Sequence, residues 1–308
     1  MMKMLIHDCM EEFKNYVQSY CADATVEYYT LNLRLLEKFL LEKYSILEMD
    51  INVLQKKDYI AYIAYHKGRV KNVSVRTYAR AAKVFFRWCY TEGYLLEDIT
   101  KNVKQPKPDN AIIIPLSALQ VALLENVLLS SSWMPDRNYC IFKLLLDCGL
   151  RVGEVCKLDV LDIDFVNDYL SINCSKNCRS RLIPLPPALK KSILDYLEVT
   201  DRVSNNQGPL FLERDGVTRI TENAISILFG KLKKFVPGIY PHLLRHTFAT
   251  SFVLGGGNLE VLRILLGHTD YNVTRQYLHI ASQLQLTDFD IYKLDPVFFK
   301  AYNYNKRE

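Results

Sequence analysis

Residues 241–277 read PHLLRHTFATSFVLGGGNLEVLRILLGHTDYNVTRQY. Pro241 sits where a helix begins, because its missing N–H is one the first turn cannot use and its φ is preset. That helix runs to Leu254, and Gly255-Gly-Gly257 reads as a helix stop rather than a phosphate loop. His242 and Arg245 lie three apart and share one face within the first two turns, where free N–H groups favour an anion. Helices over 259–266 and 272–277 follow. They flank Leu266-Gly-His268, and Tyr277 falls nine residues beyond that histidine.

Upstream, Gly149-Leu-Arg-Val-Gly-Glu154 closes one helix (135–148) and opens the next. It is followed by the only strong β signal, three short strands over 161–164, 169–174 and 181–185. The last two form a hairpin with Lys176 near its tip. Helices over 117–129, 187–197 and 221–235 complete this half. Residues 1–105 read as helix throughout (6–20, 25–44, 55–66 and 74–92), enough for a compact bundle. Lys101-Asn-Val-Lys-Gln-Pro-Lys-Pro-Asp-Asn110 reads as an extended linker. The expected fold is therefore mainly α, with a small antiparallel β-sheet in the second of two domains, 1–105 and 106–308. A length of 308 residues agrees with two domains at ~150 residues each.

Composition narrows the class. With 49% hydrophobic and 24% charged residues the chain is an ordinary globular one, not a disordered or collagen-like one. No stretch of ~18 residues is continuously apolar, and the N-terminus has no secretory pattern, so a cytoplasmic protein without a membrane span is expected. The eight cysteines form no CxxC pair and read as small buried hydrophobes. No carboxylate cluster suggests a metal site. The net charge of +5 is mild, but its placement is not. Seven basic residues and no acidic one fall between Lys67 and Arg87, and Arg76, Arg80, Lys83 and Arg87 line one helical face. Without acidic partners the stripe gains no intrahelical ion pairs. Either a DNA backbone covers it, or it is a solvated face.

Chemistry connects the scattered pieces. Two arginines can grip one phosphate with forked hydrogen bonds. A phenol can attack that phosphorus if nearby cations ease its ionisation, and a lysine can protonate the leaving alkoxide. These motifs, in this order, resemble the tyrosine recombinase family of phage integrases, Xer-type recombinases and mobile-element integrases, over nearly the whole chain. The resemblance implies a SAM-like core-binding helical domain followed by a catalytic domain. It implies catalytic roles for Arg151, Lys176, His242, Arg245, His268 and Tyr277, with Glu154 orienting Arg151. The family's usual Gly-Lys-Gly turn reads Ser175-Lys176-Asn177 here, and Arg179 is the alternative proton donor.

By this resemblance Tyr277 attacks a phosphodiester to give a 3′-phosphotyrosyl link and a free 5′-hydroxyl, with His242 as the base for the phenol and Lys176 as the acid for the 5′ oxygen. His268 donates a hydrogen bond to the phosphate. No ATP, metal or other cofactor is expected. The expected partner is double-stranded DNA carrying an inverted-repeat core site, contacted by Arg76, Arg80, Lys83, Arg87, Lys104, Arg179 and Arg181. A homo-tetramer on DNA is expected through the apolar C-terminal segment Leu294–Phe299 docking on a neighbour, with folding back on its own domain as the alternative, and an accessory directionality protein is left open. No arm-type domain is expected before residue 1, and a core-site enzyme is the expected kind. The alternatives are a type IB topoisomerase-like enzyme and a non-catalytic DNA-binding regulator of the same fold.

Overall fold

The computed structural model describes residues 4–45, 49–107, 113–173, 180–202, 207–286 and 289–300. The chain divides into two compact units, Met1–Ala111 and Ile112–Glu308. The first holds α1 (Ile6–Tyr20), α2 (Asp23–Tyr44), α3 (Lys56–His66) and α4 (Asn72–Thr91). In α1 the buried residues Ile6, Cys9, Met10, Phe13 and Val17 recur at three- and four-residue steps, the stripe an amphipathic helix turns toward a core. Helix α4 packs against α2 and α3 through Val75, Ala79, Ala82, Phe86 and Cys89, and its alanines let the backbones approach closely. The segment read as a linker begins inside this unit. Ile99 and Thr100 are buried, Val103 packs on the core, and Gln105 Nε2 donates to the Tyr59 hydroxyl at 2.8 Å.

The second unit is arranged about two buried helices, α6 (Pro135–Asp147) and α10 (Pro241–Leu254), which pack on each other. Ten residues of α6 are buried, and Leu243–Phe252 of α10 form an unbroken buried run. Both carry apolar residues on every side, and their buried polar groups, among them Lys143, Asp147 and Arg245, are paired inside. Around them stand α5 (Ala118–Leu129), α7 (Val152–Lys157), α8 (Pro187–Val199), α9 (Glu222–Leu232), α11 (Leu259–Leu266), α12 (Tyr271–Gln285) and the short α13 (Val297–Lys300). The sheet has the order β1 (Ile163–Asp164), β2 (Tyr169–Ile172), β3 (Arg181–Pro184), all antiparallel, with Leu170 opposite Ile183. Strand β3 lies against α11.

Three features depart from the sequence reading. Strand β1 is two residues long. Helix α12 continues eight residues past Tyr277, because Thr274, Tyr277 and Ala281 extend its buried stripe. The C-terminal segment, expected to dock on a neighbouring subunit, packs on its own unit instead. Leu294 and Phe298 are buried in that unit's core, and Phe299 stacks on Phe252 at 5.6 Å. The Tyr292 hydroxyl donates to Asp147 Oδ1 and accepts from Lys143 Nζ, both at 2.9 Å. The apolar faces and the buried Lys143–Asp147 pair of α6 leave a slot this segment fills. Among the described residues no helix is long and apolar enough to cross a membrane.

Candidate active site

The site begins at the elbow between α6 and α7. Gly149 has φ +62°, and a Cβ there would fall 2.5 Å from Phe248 Cδ1, so both conformation and space demand glycine. Its carbonyl, turned inward, accepts from Arg245 Nη1 at 2.6 Å. Two residues on, Arg151 caps α7. Glu154 holds it twice, accepting the Arg151 backbone N–H at Oε2 (2.8 Å) and Nη1 at Oε1 (3.0 Å). Burial alone would raise the Glu154 carboxyl, but Arg181 and Arg151 outweigh it and hold the group below the usual carboxylate range.

Helix α11 ends at Gly267, φ +62°, and this turn faces both arginines. The Gly267 carbonyl accepts from Arg151 Nη2 at 3.3 Å, and the adjacent Leu266 carbonyl accepts from Arg245 Nη2 at 2.5 Å. Two successive carbonyls thus each take one guanidinium and bring residues 151 and 245 to the same turn. Arg245 is 1% exposed, and its Nε has no partner among the described residues. Burial, then the nearby Arg151 charge, lowers it to about 9, so it stays cationic at neutral pH.

The histidines differ in role. His268 Nε2 lies 3.1 Å from Arg245 Nη2, and an arginine can only donate, so Nε2 is the acceptor. The ring proton then sits on Nδ1, 2.9 Å from Thr274 Oγ1. Burial, then Arg245 and Arg151, pushes His268 down to about 3. His242 stands exposed at the start of α10, lowered by partial desolvation and by the same two arginines.

Tyr277 projects from α12 into this cluster and is 1% exposed. Its hydroxyl lies 2.9 Å from Nδ1 of His246, not His242. Burial raises the phenol to about 12 against the pull of Arg245 and Arg151. Sequence reading gave His246 no role, although its place four residues after His242, on the same face, was a legible signal. Thr274, three residues before Tyr277 on the same helix face, was missed as well.

Of the expected DNA contacts, Arg76, Arg80 and Arg87 are exposed on α4, Lys83 is half-buried, and Lys104 is exposed. Arg181 requires correction. It is an inward position on β3, 5% exposed, donating Nε to the Leu265 carbonyl (2.7 Å) and Nη2 to Glu154 (2.9 Å). Alternation along the strand turns it toward α11, so it braces Glu154 and the turn after Leu265 and cannot reach DNA. Lys176 and Arg179 lie outside the described residues.

A model of the phage integrase family matches residues 115–283. A tyrosine recombinase of Pseudothermotoga lettingae is 27% identical over 276 residues, covering 89% of this chain and 94% of that protein. The tyrosine recombinase XerC of Chlamydia caviae is 30% identical over 223 residues, covering 70% and 71%. Among solved structures, the Tn1549 transposon integrase in complex with transposon right-end DNA superposes with a TM-score of 0.72 at 17% identity, covering 92% of this chain and 99% of that one.

Proposed function

The chain belongs to the phage integrase family and is a tyrosine recombinase, an enzyme that cleaves and rejoins DNA at specific sites, and we propose that Tyr277 is its nucleophile, acting on a phosphodiester gripped by Arg151 and Arg245. The observation that carries this reading is the convergence of Arg151, Arg245 and His268 on the turn after α11, with the Tyr277 phenol within reach of both arginine charges. The phosphate enters from the side of exposed His242 and half-buried Arg151. Both guanidinium groups then exchange part of their carbonyl contacts for its oxygens and stabilise the charge that grows there in the transition state. Attack by the Tyr277 oxygen forms a 3′-phosphotyrosyl ester and expels the 5′ oxygen, which Lys176 protonates to a hydroxyl. The ester conserves the bond energy, so rejoining to the same or a second 5′-hydroxyl needs no ATP. Glu154 and Arg181 keep Arg151 aimed, and the exposed basic residues of α4 with Lys104 hold the duplex backbone. Four copies assembling on an inverted-repeat core site belong to the same proposal. With residues 291–299 engaged in their own unit, subunit contacts through that segment require its release.

The test is a nicked suicide duplex bearing a site selected from a random pool for binding. Wild type becomes trapped on DNA as a covalent adduct, and Tyr277→Phe binds equally but forms none. An adduct that survives this substitution overturns the assignment. A plasmid carrying two sites separates recombination from simple supercoil relaxation.

A further inference from the structure

The Tyr277 hydroxyl lies within hydrogen-bond distance of a histidine that is not the one three residues before Arg245. His246 lies in the middle of α10 and is 8% exposed. Its ring packs edge-on against His242 (4.7 Å between centroids, 81°) and beside the Tyr277 ring (5.6 Å). Its Nδ1 is 2.9 Å from the phenolic oxygen, an ordinary hydrogen-bond distance. The charged and titratable groups bearing on this imidazole are His242 and Arg245 on its own helix and Tyr277 on α12. Burial and the first two hold it neutral, at about 4, while the phenol keeps its proton. A neutral ring protonated on Nε2 presents the Nδ1 lone pair to the O–H.

From this geometry we propose that His246 accepts the Tyr277 proton as the phosphotyrosyl bond forms and returns it on rejoining; the proposal rests on Tyr277 being the nucleophile. A free phenolate never forms. The hydroxyl becomes strongly acidic only as its oxygen bonds to phosphorus, and a base already in hydrogen-bond contact takes the proton at that moment. The incoming phosphate also offsets the Arg245 charge that depresses His246, so the imidazole gains basicity when DNA is in place. In cleavage, the Tyr277 oxygen bonds to phosphorus, the P–O5′ bond breaks with its electron pair on oxygen, and that oxygen takes a proton from the acid assigned to Lys176. The phenol proton resides on His246 Nδ1. In rejoining, the attacking 5′-hydroxyl gives its proton to the lysine amine, and the departing Tyr277 oxygen recovers its own from the imidazolium.

The experiment measures the rate of adduct formation on the suicide duplex for wild type and His246→Gln, each with tyrosine or a lower-pKa fluorotyrosine at position 277. Glutamine keeps a hydrogen bond but cannot take a proton. His246→Gln is expected to slow cleavage by ~10²–10⁴ with duplex binding intact, and fluorotyrosine should recover a large part of that loss while changing wild type little. A near-wild-type rate, or the same defect with both phenols, overturns the proposal, since a structural role is indifferent to phenol acidity. If His246→Gln does not fold, wild type alone decides. A solvent deuterium isotope effect must persist on a 5′-bridging phosphorothiolate duplex, whose sulfur leaves without a proton, and its disappearance overturns the proposal. An adduct that persists in Tyr277→Phe removes the nucleophile and the proposal together, whereas adduct loss there with unimpaired His246→Gln removes only the proposal.

Discussion

Gly149 shows how one residue without a side chain positions a buried arginine. Its left-handed backbone aims a carbonyl at Arg245 Nη1, and Phe248 occupies the space a methyl group would need. Gly149→Ala therefore combines backbone strain with overpacking, and it should destabilise the chain by about 2–4 kcal/mol. Adduct formation should also slow in the fraction that remains folded, because Arg245 loses an anchor. Denaturant unfolding beside the suicide-duplex assay checks this, and a variant with unchanged stability would mean the elbow relaxes at no cost. At this scale the sequence showed Arg151, Arg245, His268 and Tyr277 by residue type and spacing. It did not show which histidine meets the phenol. His242 and His246 lie on the same face of one helix, and only the seat of α12 against α10 distinguishes them.

Among the helices, α10 and α12 and the end of α11 hold imidazoles neutral in a buried, cation-rich place. His246 stands at about 4 and His268 at about 3, both below the ordinary value near 6.5 that the unfolded chain shows. Below pH 6.5 the unfolded state binds protons that the folded state refuses, so the stability present above pH 6.5 is lost progressively as pH falls toward 4. The expected result is a decline in unfolding free energy between pH 6.5 and 4.5 that is shallower in His246→Gln. Equal slopes in the two proteins would show that His246 titrates normally. The length of α12 also belongs to this scale. A stripe of Thr274, Tyr277 and Ala281 was readable as continuing, yet the polar residues between them concealed it, and a helix ending at Tyr277 was expected in place of one reaching Gln285.

For the molecule as a whole, the candidate active site and the exposed basic stripe fall in different units. Every described candidate catalytic group lies in the second, while Arg76, Arg80 and Arg87 stand exposed in the first. Replacing these three arginines by glutamine should weaken binding across sequences and reduce the slope of log affinity against log salt by about 2–3. The cleavage rate on saturating duplex should stay near wild type. An unchanged salt slope would make the stripe a solvated face. The sequence by itself determined the helical class, the sheet and the motifs, because period, capping and residue chemistry are local properties that survive without neighbours. Only the tertiary structure decided that Arg181 braces Glu154 rather than DNA, that residues 291–299 fold onto their own unit, and that His246 meets Tyr277. Each of these depends on which distant surfaces share a boundary, and burial against a partner far along the chain leaves no mark in the order of neighbouring residues.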